Sequence, residues 1–168
     1  LNFKKIITAA GILSALFLMP LSSAQAIEYG GLGGKPALPR ADNPRTDSIF
    51  IHTLEPGVVQ EEAVLVVNNT PERKTVMVYA ADSTLSSGGA FACKQLAEEK
   101  TDVGSWITLS KSEIILEPAT NEVIPFSILV HESASVGEHN GCILIQERKD
   151  EVAGQTGAIL SVRTGLRV

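Results

Sequence analysis

The sequence predicts an all-β fold, in which two packed sheets form a β-sandwich of about seven to eight strands. Three observations support this prediction. Short runs rich in β-branched residues alternate apolar with polar positions, turn-forming residues separate the runs, and the runs recur about every 8–15 residues. No amphipathic helix of ordinary length interrupts them. An open barrel is the structural alternative, because it is built from the same pattern.

Residues 1–26 have the features of a secretory signal peptide. Lys4 and Lys5 precede the uncharged apolar run Ile6–Leu18, and small residues then lead to Ala24-Gln25-Ala26. This pattern predicts cleavage after Ala26, because signal peptidase admits only small side chains next to the cleaved bond. The apolar run is shorter than the roughly 20 residues that span a bilayer, so an uncleaved anchor is the less favoured alternative. The sequence therefore predicts an exported protein.

The charge of the chain excludes two classes of partner. The net charge is −5, and cleavage of the signal peptide would remove two lysines and no acidic residue. An acidic chain does not match nucleic acid, whose recognition depends on neutralising phosphates, and it does not match an anionic membrane surface. The acidity is most simply a solubility feature, with a cationic partner as the less favoured interpretation.

Residues 27–46 have the composition of a linker or an extended arm. They are rich in glycine and proline and contain few large apolar side chains, so we expect them to bury too little surface to become ordered. The Gly30–Lys35 stretch is not a phosphate loop, because no strand precedes it and Pro36 replaces the required Ser or Thr. The sandwich is accordingly expected over residues 47–168.

The strands of the sandwich are expected in the following order: Ser48–Leu54, Glu62–Val67, Lys74–Ala80, Trp106–Ser110, Glu113–Leu116, Val123–Val130, Cys142–Gln146 and Gly157–Val168. Turn signals such as Glu55-Pro56-Gly57 separate them. Cys93–Lys100 is the one stretch with helical propensity, and it is barely two turns long. Because Val168 lies within an apolar alternating run, we expect the sequence to be a fragment of a longer polypeptide.

The strand at Val123–Val130 has the clearest alternation in the chain. One face carries the large apolar side chains, which are Ile124, Phe126, Ile128 and Val130. Side chains two residues apart lie on the same face of a strand, so this set is predicted to face the core. Pro125, on the opposite face, has no backbone N–H, and it therefore predicts an edge strand or a bulge at this point.

The chain contains two cysteines, Cys93 and Cys142. Disulfides persist outside the cytoplasm, so we expect these two residues to be bonded to each other. A bridge closing a loop of about 50 residues is worth on the order of 4 kcal/mol in the chain-entropy model. Two unpaired buried thiols are the alternative.

No catalytic or metal-binding motif occurs in the sequence, which contains no G-x-S-x-G, H-E-x-x-H or C-x-x-C. His52 and His131 fall on or at the end of predicted strands, where packing roles are expected. His131, His139 and Cys142 do not have the spacing of a common zinc site. Asp82 and Glu138 are expected as solvated carboxylates in turns. We therefore predict a protein that is not an enzyme and that uses no cofactor or metal.

Trp106 is the one candidate ligand contact in the sequence. An indole on the surface of a sandwich can stack on a sugar ring, whereas an indole between the sheets fills the core. The core position is the favoured interpretation, because large aromatic side chains contribute much of the burial energy of a core.

Several segments, in this order, resemble a known family. They are Glu55–Gly57, Asn68–Thr70, Trp106–Ser110, Glu117-Pro118, the Val123–Val130 strand, Val136–Gly141 and Ser161–Val168. The set is similar to the bacterial family called WxL-interacting protein, peptidoglycan-binding domain, over about residues 47–168. Ala119 stands where turns of this kind usually carry Gly.

The resemblance implies an immunoglobulin-like domain of a secreted surface protein that associates with peptidoglycan. It also implies further sequence with a C-terminal transmembrane anchor. The leading functional prediction is therefore a non-catalytic binding or structural module at the cell surface or in the periplasm, whose partner is peptidoglycan or another envelope protein. The alternative is a periplasmic chaperone or assembly factor that acts by edge-strand pairing, with Ala158–Val168 as the candidate edge.

Overall fold

A computed structural model describes residues 26–149 and 163–168, which form an immunoglobulin-like β-sandwich of two antiparallel sheets. The predicted signal peptide, apart from its last residue, lies outside the described residues. The strands are β1 (Ile27–Tyr29), β2 (Leu32–Pro36), β3 (Val59–Asn68), β4 (Lys74–Leu85), β5 (Phe91–Cys93), β6 (Ile107–Leu109), β7 (Glu113–Leu116), β8 (Thr120–Leu129), β9 (Gly141–Glu147) and β10 (Arg163–Arg167). A 3-10 turn (Pro44–Asp47) and a single helical turn, α1 (Val103–Trp106), complete the described elements.

The first sheet has the strand order β1-β2-β3-β8-β6. The second has the order β10-β9-β4-β5, and β7 also pairs with β4. The longest pairing joins β3 to β8, from Val59 opposite Leu129 to Asn68 opposite Thr120. Because both sheets contain strands from distant parts of the sequence, the sandwich is closed by long-range contacts.

The core lies between the two sheets, where alternation predicted it. Ile124, Phe126, Ile128 and Val130 are all buried, with Ile124 fully so, which confirms the predicted inner face of β8. Ile124, Phe126 and Ile128 pack with inward residues of the opposite sheet, among them Val76, Val78, Ile143, Ile145 and Leu166. Phe50 contacts Phe126 edge to face, with ring centroids 5.1 Å apart. This apolar interior is the main source of the stability of the fold.

The prediction of a linker over residues 27–46 is wrong, because this segment forms β1, β2 and the 3-10 turn. β2 pairs with β3 from Leu32 opposite Asn68 to Pro36 opposite Val64. The glycines allow close packing here: a Cβ added to Gly34 would lie 2.6 Å from the Leu65 carbonyl oxygen and 2.5 Å from Ile145 Cδ1. Glycine in this stretch therefore allows neighbouring strands to approach closely and does not indicate an absence of structure.

Two further predictions of secondary structure are wrong. Ser48–Leu54 contains no strand; it crosses the edge of the second sheet, and the Phe50 N–H donates to the Arg167 carbonyl at 3.0 Å. The predicted helix at Cys93–Lys100 is instead the end of β5 followed by turns. In both segments tertiary contacts outweigh a weak local preference.

Pro125 lies within β8 and not on an edge strand, but its ring causes no loss of pairing. Its carbonyl accepts from the Ser110 N–H at 3.0 Å, so its nitrogen also faces the side where β6 ends. The Thr120–Ile124 half of β8 extends beyond the pairing with β6. Proline therefore occupies the point at which β8 changes from an inner strand to an edge.

Candidate functional site

β10 forms one edge of the second sheet. It pairs with β9 from Arg163 opposite Gln146 to Arg167 opposite Cys142. Val168 and Gly141 exchange both backbone hydrogen bonds, at 2.9 and 3.0 Å. Because hydrogen-bonded positions alternate along an antiparallel pair, the backbone groups of Arg163, Gly165 and Arg167 point away from β9. Among the described residues no strand pairs with this outer side, although the Arg167 carbonyl accepts from Phe50.

Two arginines fix the position of β10. The Arg163 guanidinium donates to the carbonyl oxygens of Lys94 and Cys93, both at 2.8 Å. The Arg167 guanidinium donates to Asn140 Oδ1 at 2.7 Å, and it lies 5.2 Å from the centre of the Phe91 ring. Guanidinium groups at both ends of the strand therefore anchor it to the neighbouring loops. The described part of the predicted edge strand Ala158–Val168 is thus an edge, and residues 158–162 lie outside the described residues.

Cys93 and Cys142 form the predicted disulfide, with their Cα atoms 6.1 Å apart. The bond joins β5 to β9 over a small apolar cluster on the outer side of the second sheet, formed by Tyr79, Ala81 and Leu144. Cys142 is fully buried. Because its sulfur is bonded to Cys93, it is not available as a metal ligand beside the histidines.

Asp82 is the most strongly hydrogen-bonded carboxylate in the described part of the chain, and the prediction of a solvated turn residue is wrong. It lies in β4 with 3 % of its surface exposed. It accepts hydrogen bonds from Lys94 Nζ (3.1 Å), Thr101 N (2.7 Å), Asp102 N (3.1 Å) and Gly104 N (2.8 Å). Burial alone would raise the pKa of Asp82, but the hydrogen bonds, led by that from Thr101, hold it below its ordinary value.

The contacts of Asp82 determine the course of the loop that follows β5. Three backbone N–H groups, those of Thr101, Asp102 and Gly104, donate to one side chain, which brings Asp102 and α1 against β4. Gly104 permits this approach, because a Cβ there would lie 2.6 Å from the Ala81 carbonyl carbon. The loop is therefore held by a buried charge and a close backbone contact, in addition to the buried side chain of Val103.

His139 extends this polar network to the loop that precedes β9. Its Nδ1 lies 2.8 Å from Asp102 Oδ1, and its Nε2 lies 2.9 Å from the Ser135 carbonyl oxygen. The hydrogen bond to the Ser135 carbonyl raises the pKa of His139, burial opposes the increase, and the Asp102 carboxylate adds to it. The neighbouring Glu138 is exposed and pairs with Arg167 at 2.9 Å, as expected for a solvated carboxylate.

Trp106 lies between the core and the surface. It ends α1, outside the strand predicted for it, and its half-buried side chain packs against the core. The ring centroids of Trp106 and His139 are 4.9 Å apart and the ring planes are tilted by 56°. Trp106 and His139 line an open cleft of about 610 Å³, together with Lys100, Thr101, Asp102, Ser105, His131, Ser133, Ala134 and Ser135. The Trp106 side chain therefore packs against the core, as favoured, and also lines this cleft, while its contact with a ligand stays a prediction.

A second buried polar pair lies at another point of the sandwich. His52 Nε2 is 3.2 Å from Glu62 Oε1, and both side chains are about nine-tenths buried. Burial, and then the charge of Arg40, lowers the pKa of His52, while burial raises that of Glu62. His52 is in irregular backbone and not in the predicted strand, and the adjoining space holds only about 10 Å³. The site has room for little more than one water molecule.

No residue of the described chain other than Trp106 and the two cysteines was predicted as a site residue. Asp82 had no sequence signal, because a lone aspartate between Ala81 and Ser83 does not indicate donors from a loop about 20 residues later. His139 carried a weak signal, since it lies close to Cys142. No helix in the described ranges is long and apolar enough to cross a membrane, and these ranges contain no group of three potential metal ligands.

No protein-family model and no curated protein sequence matches this chain. Among solved structures, it is similar to a PapD-like domain of human CEP192, with 10 % identity and a TM-score of 0.43 over 97 % of this chain and 94 % of that one. It is also similar to the class 5 fimbriae chaperone CfaA, with 10 % identity and a TM-score of 0.40 over 68 % of this chain.

A third similar structure is a family 123 glycoside hydrolase from Clostridium perfringens, with 12 % identity and a TM-score of 0.45 over 81 % of this chain. This chain spans 49 % of the chaperone and 26 % of the hydrolase. These similarities concern the fold alone and carry no information about function.

Proposed function

We propose that this chain acts outside the cytoplasm as a non-catalytic assembly module of the cell envelope, which binds a partner by pairing β10 with an extended segment of it. The observation that carries the proposal is the edge position of β10. The outward backbone groups of Arg163 and Gly165 belong to an edge strand, and such groups are a template for another strand.

The fixed position of β10 supports the proposal. An edge strand that is already ordered loses little conformational entropy when a partner pairs with it, which favours binding. The arginine contacts at both ends and the backbone pairing with β9 supply this order. Gly165 has an exposed surface and no side chain, so the centre of the edge presents backbone and no steric barrier.

The extracytoplasmic location rests on two independent features. The signal-peptide pattern of residues 1–26 predicts export. The Cys93–Cys142 disulfide fits an oxidising compartment, where such a bond persists. Association with peptidoglycan, implied by the family resemblance, remains a prediction, and retention on purified cell wall above that of an unrelated sandwich domain is its test.

Substitution of Gly165 tests the edge with a matched control. G165P removes the outward N–H and places the proline ring on the outer side of β10, whereas G165A adds only a Cβ. That Cβ would contact Cys93 Sγ at 3.3 Å in both variants, so any effect of the added carbon is shared. Both variants keep the Thr164 and Leu166 backbone bonds to β9.

A photo-cross-linking side chain at Phe91, which is exposed and lies beside Arg167, reports on the partner. We expect cross-links to one envelope protein, mapped to an alternating segment, which G165A retains and G165P abolishes. The same side chain at Ile115, exposed on β7 at the other edge, should give none. Absence of a specific cross-link from position 91, or equal cross-linking in the two Gly165 variants, would overturn the proposal.

A further inference from the structure

The Trp106 cleft has an unusual distribution of hydrogen-bond donors and acceptors. It is formed by three segments: the loop before α1, α1 itself and the loop between β8 and β9. Its volume of about 610 Å³ is within the range of small-ligand sites. The state of each polar group in it follows from the contacts that the group already makes.

The acceptors of the cleft are largely occupied. Both ring nitrogens of His139 face groups that can only accept, the Asp102 carboxylate and the Ser135 carbonyl. Both nitrogens can therefore donate when the ring is protonated, and these contacts, first that with the Ser135 carbonyl, raise the pKa of His139. The Asp102 carbonyl accepts from the Ser105 hydroxyl at 2.6 Å.

Three donors, in contrast, have no partner in the described part of the chain. His131 Nδ1 accepts from the Ser133 backbone N–H at 3.2 Å and lies 2.7 Å from the Ser133 hydroxyl, so the proton of the neutral ring is on Nε2, which has no partner among the described residues. The Trp106 indole N–H and the Lys100 ammonium likewise have no hydrogen-bond partner among the described residues. All three residues line the cleft.

From this distribution we propose that the cleft binds a small ligand that carries a carboxylate next to a nonpolar face. The carboxylate accepts from Lys100 and from the His131 Nε2–H, and the nonpolar face packs against Trp106. Two sources supply this chemistry, a uronic acid residue and an N-acylated amino acid. The proposal does not depend on the pairing of β10, which is a different surface.

The Asp82 network prepares this site before the ligand arrives. Asp82 fixes the backbone of Thr101 and Asp102, and Asp102 in turn orients His139 beside the indole. Because Lys100 directly precedes this fixed segment, its ammonium is presented from ordered backbone. A site whose walls are already in place loses less entropy on binding.

Intrinsic fluorescence tests the proposal directly, because Trp106 is the only tryptophan in the chain. The full chain without its signal peptide is titrated with glucuronate and with N-acetyl-leucine, up to about 10 mM, which covers weak binding. Glucose and N-acetyl-leucinamide are the uncharged controls. We expect a saturable change with at least one carboxylate and a response at least about tenfold weaker with its uncharged analogue.

Lys100→Gln should weaken the binding by about tenfold, since it removes a charge-assisted hydrogen bond. Lys111→Gln is the matched control, because Lys111 is exposed, pairs with Glu122 and lies outside the cleft. Equal thermal midpoints show that both variants are folded. A saturable response to glucuronate alone identifies the saccharide source, and one to N-acetyl-leucine alone the amino-acid source.

Three results would overturn the proposal. They are no saturable change with either carboxylate, an equal response to the uncharged analogues, and unchanged binding by Lys100→Gln.

Discussion

Two regions of this sandwich are stabilised by different interactions. The β3–β8 pair and the strands that face it bury branched apolar side chains, among them Val64, Ile124 and Phe126, which are almost completely removed from water. The cleft end, formed by the loops around Asp102 and His139, buries the Asp82 carboxylate and satisfies it with donors from four residues. The apolar contacts that stabilise the first region have no preferred direction, whereas the hydrogen bonds that stabilise the second depend strongly on direction.

The difference has consequences for how each region fails. An apolar core loses free energy in proportion to the volume removed, and its remaining side chains can partly close around a cavity. A buried carboxylate network cannot relax in this way, because every donor left without its acceptor carries its own cost. Damage to the core should therefore lower global stability, whereas damage to the network should also disorder the cleft.

Removal of a core aromatic side chain should produce the largest effect. Phe126→Ala deletes a ring that is 2 % exposed and contacts Phe50, so the free energy of unfolding should fall by about 3–5 kcal/mol. Urea denaturation measures this loss. The fluorescence of Trp106 in the folded variant should be that of the parent protein, because the cleft loops keep their hydrogen bonds. A shifted spectrum in the native baseline would contradict the separation of the two regions.

Asp82→Asn should have a smaller global effect and a larger local one. The amide keeps the volume but offers one acceptor oxygen in place of two, and its NH₂ group faces backbone donors. We expect a loss of about 2–3 kcal/mol, since the Lys94 ammonium also loses its charged partner.

Proteolysis locates the damage caused by Asp82→Asn. Cleavage at Lys94 or Lys100 should become faster than in the parent protein under native conditions, because the loop is no longer fixed. Asn140→Asp is the comparison, since it changes a neighbouring half-buried amide that does not contact Asp82. If cleavage at Lys94 and Lys100 were no faster in Asp82→Asn than in the parent protein, the Asp82 hydrogen bonds would not be what fixes the cleft loop.

The same contrast explains which parts of the structure were predictable from sequence. Alternation at Ile124–Val130 predicted both a strand and its buried face, because a period of two is a local property of the chain. The Cys93–Cys142 bond was predictable because two cysteines allow a single pairing. The strand at Lys74–Ala80 was also located, although β4 continues to Leu85.

What could not be predicted depends on contacts between distant residues. Gly34 is read as a flexible residue in the sequence, yet it packs against Leu65 and Ile145, which lie far away along the chain. Asp82 is read as a turn residue, yet its partners come from a loop about 20 residues later. Neither composition nor periodicity records these contacts. The strands within residues 27–46, the loop that follows β5 and the cleft were therefore not predicted.

Titration of His139 should have the smallest effect. It tests the hydrogen-bonded loops of the cleft without removing a side chain from them. Because the pKa of His139 is raised in the folded state, its contribution to stability is complete below its ordinary pKa of 6.5 and is lost as the pH rises through the folded pKa. The side chain is about one-fifth exposed and solvent screens its pairing with Asp102, so the contribution should be below about 1 kcal/mol.

The measurement compares the unfolding free energies of the parent protein and His139→Gln at pH 6 and pH 8. The parent should lose its advantage over the variant as the pH rises. His52, whose pKa is lowered by burial and by Arg40, acts in the opposite sense, but it is present in both proteins and cancels in the difference. The fluorescence of Trp106 should rise over the same pH interval in the parent alone, because a protonated imidazole 4.9 Å away quenches the indole. A difference between the two proteins that does not change with pH would mean that His139 stays neutral over this interval. The cleft would then have no positive charge from His139.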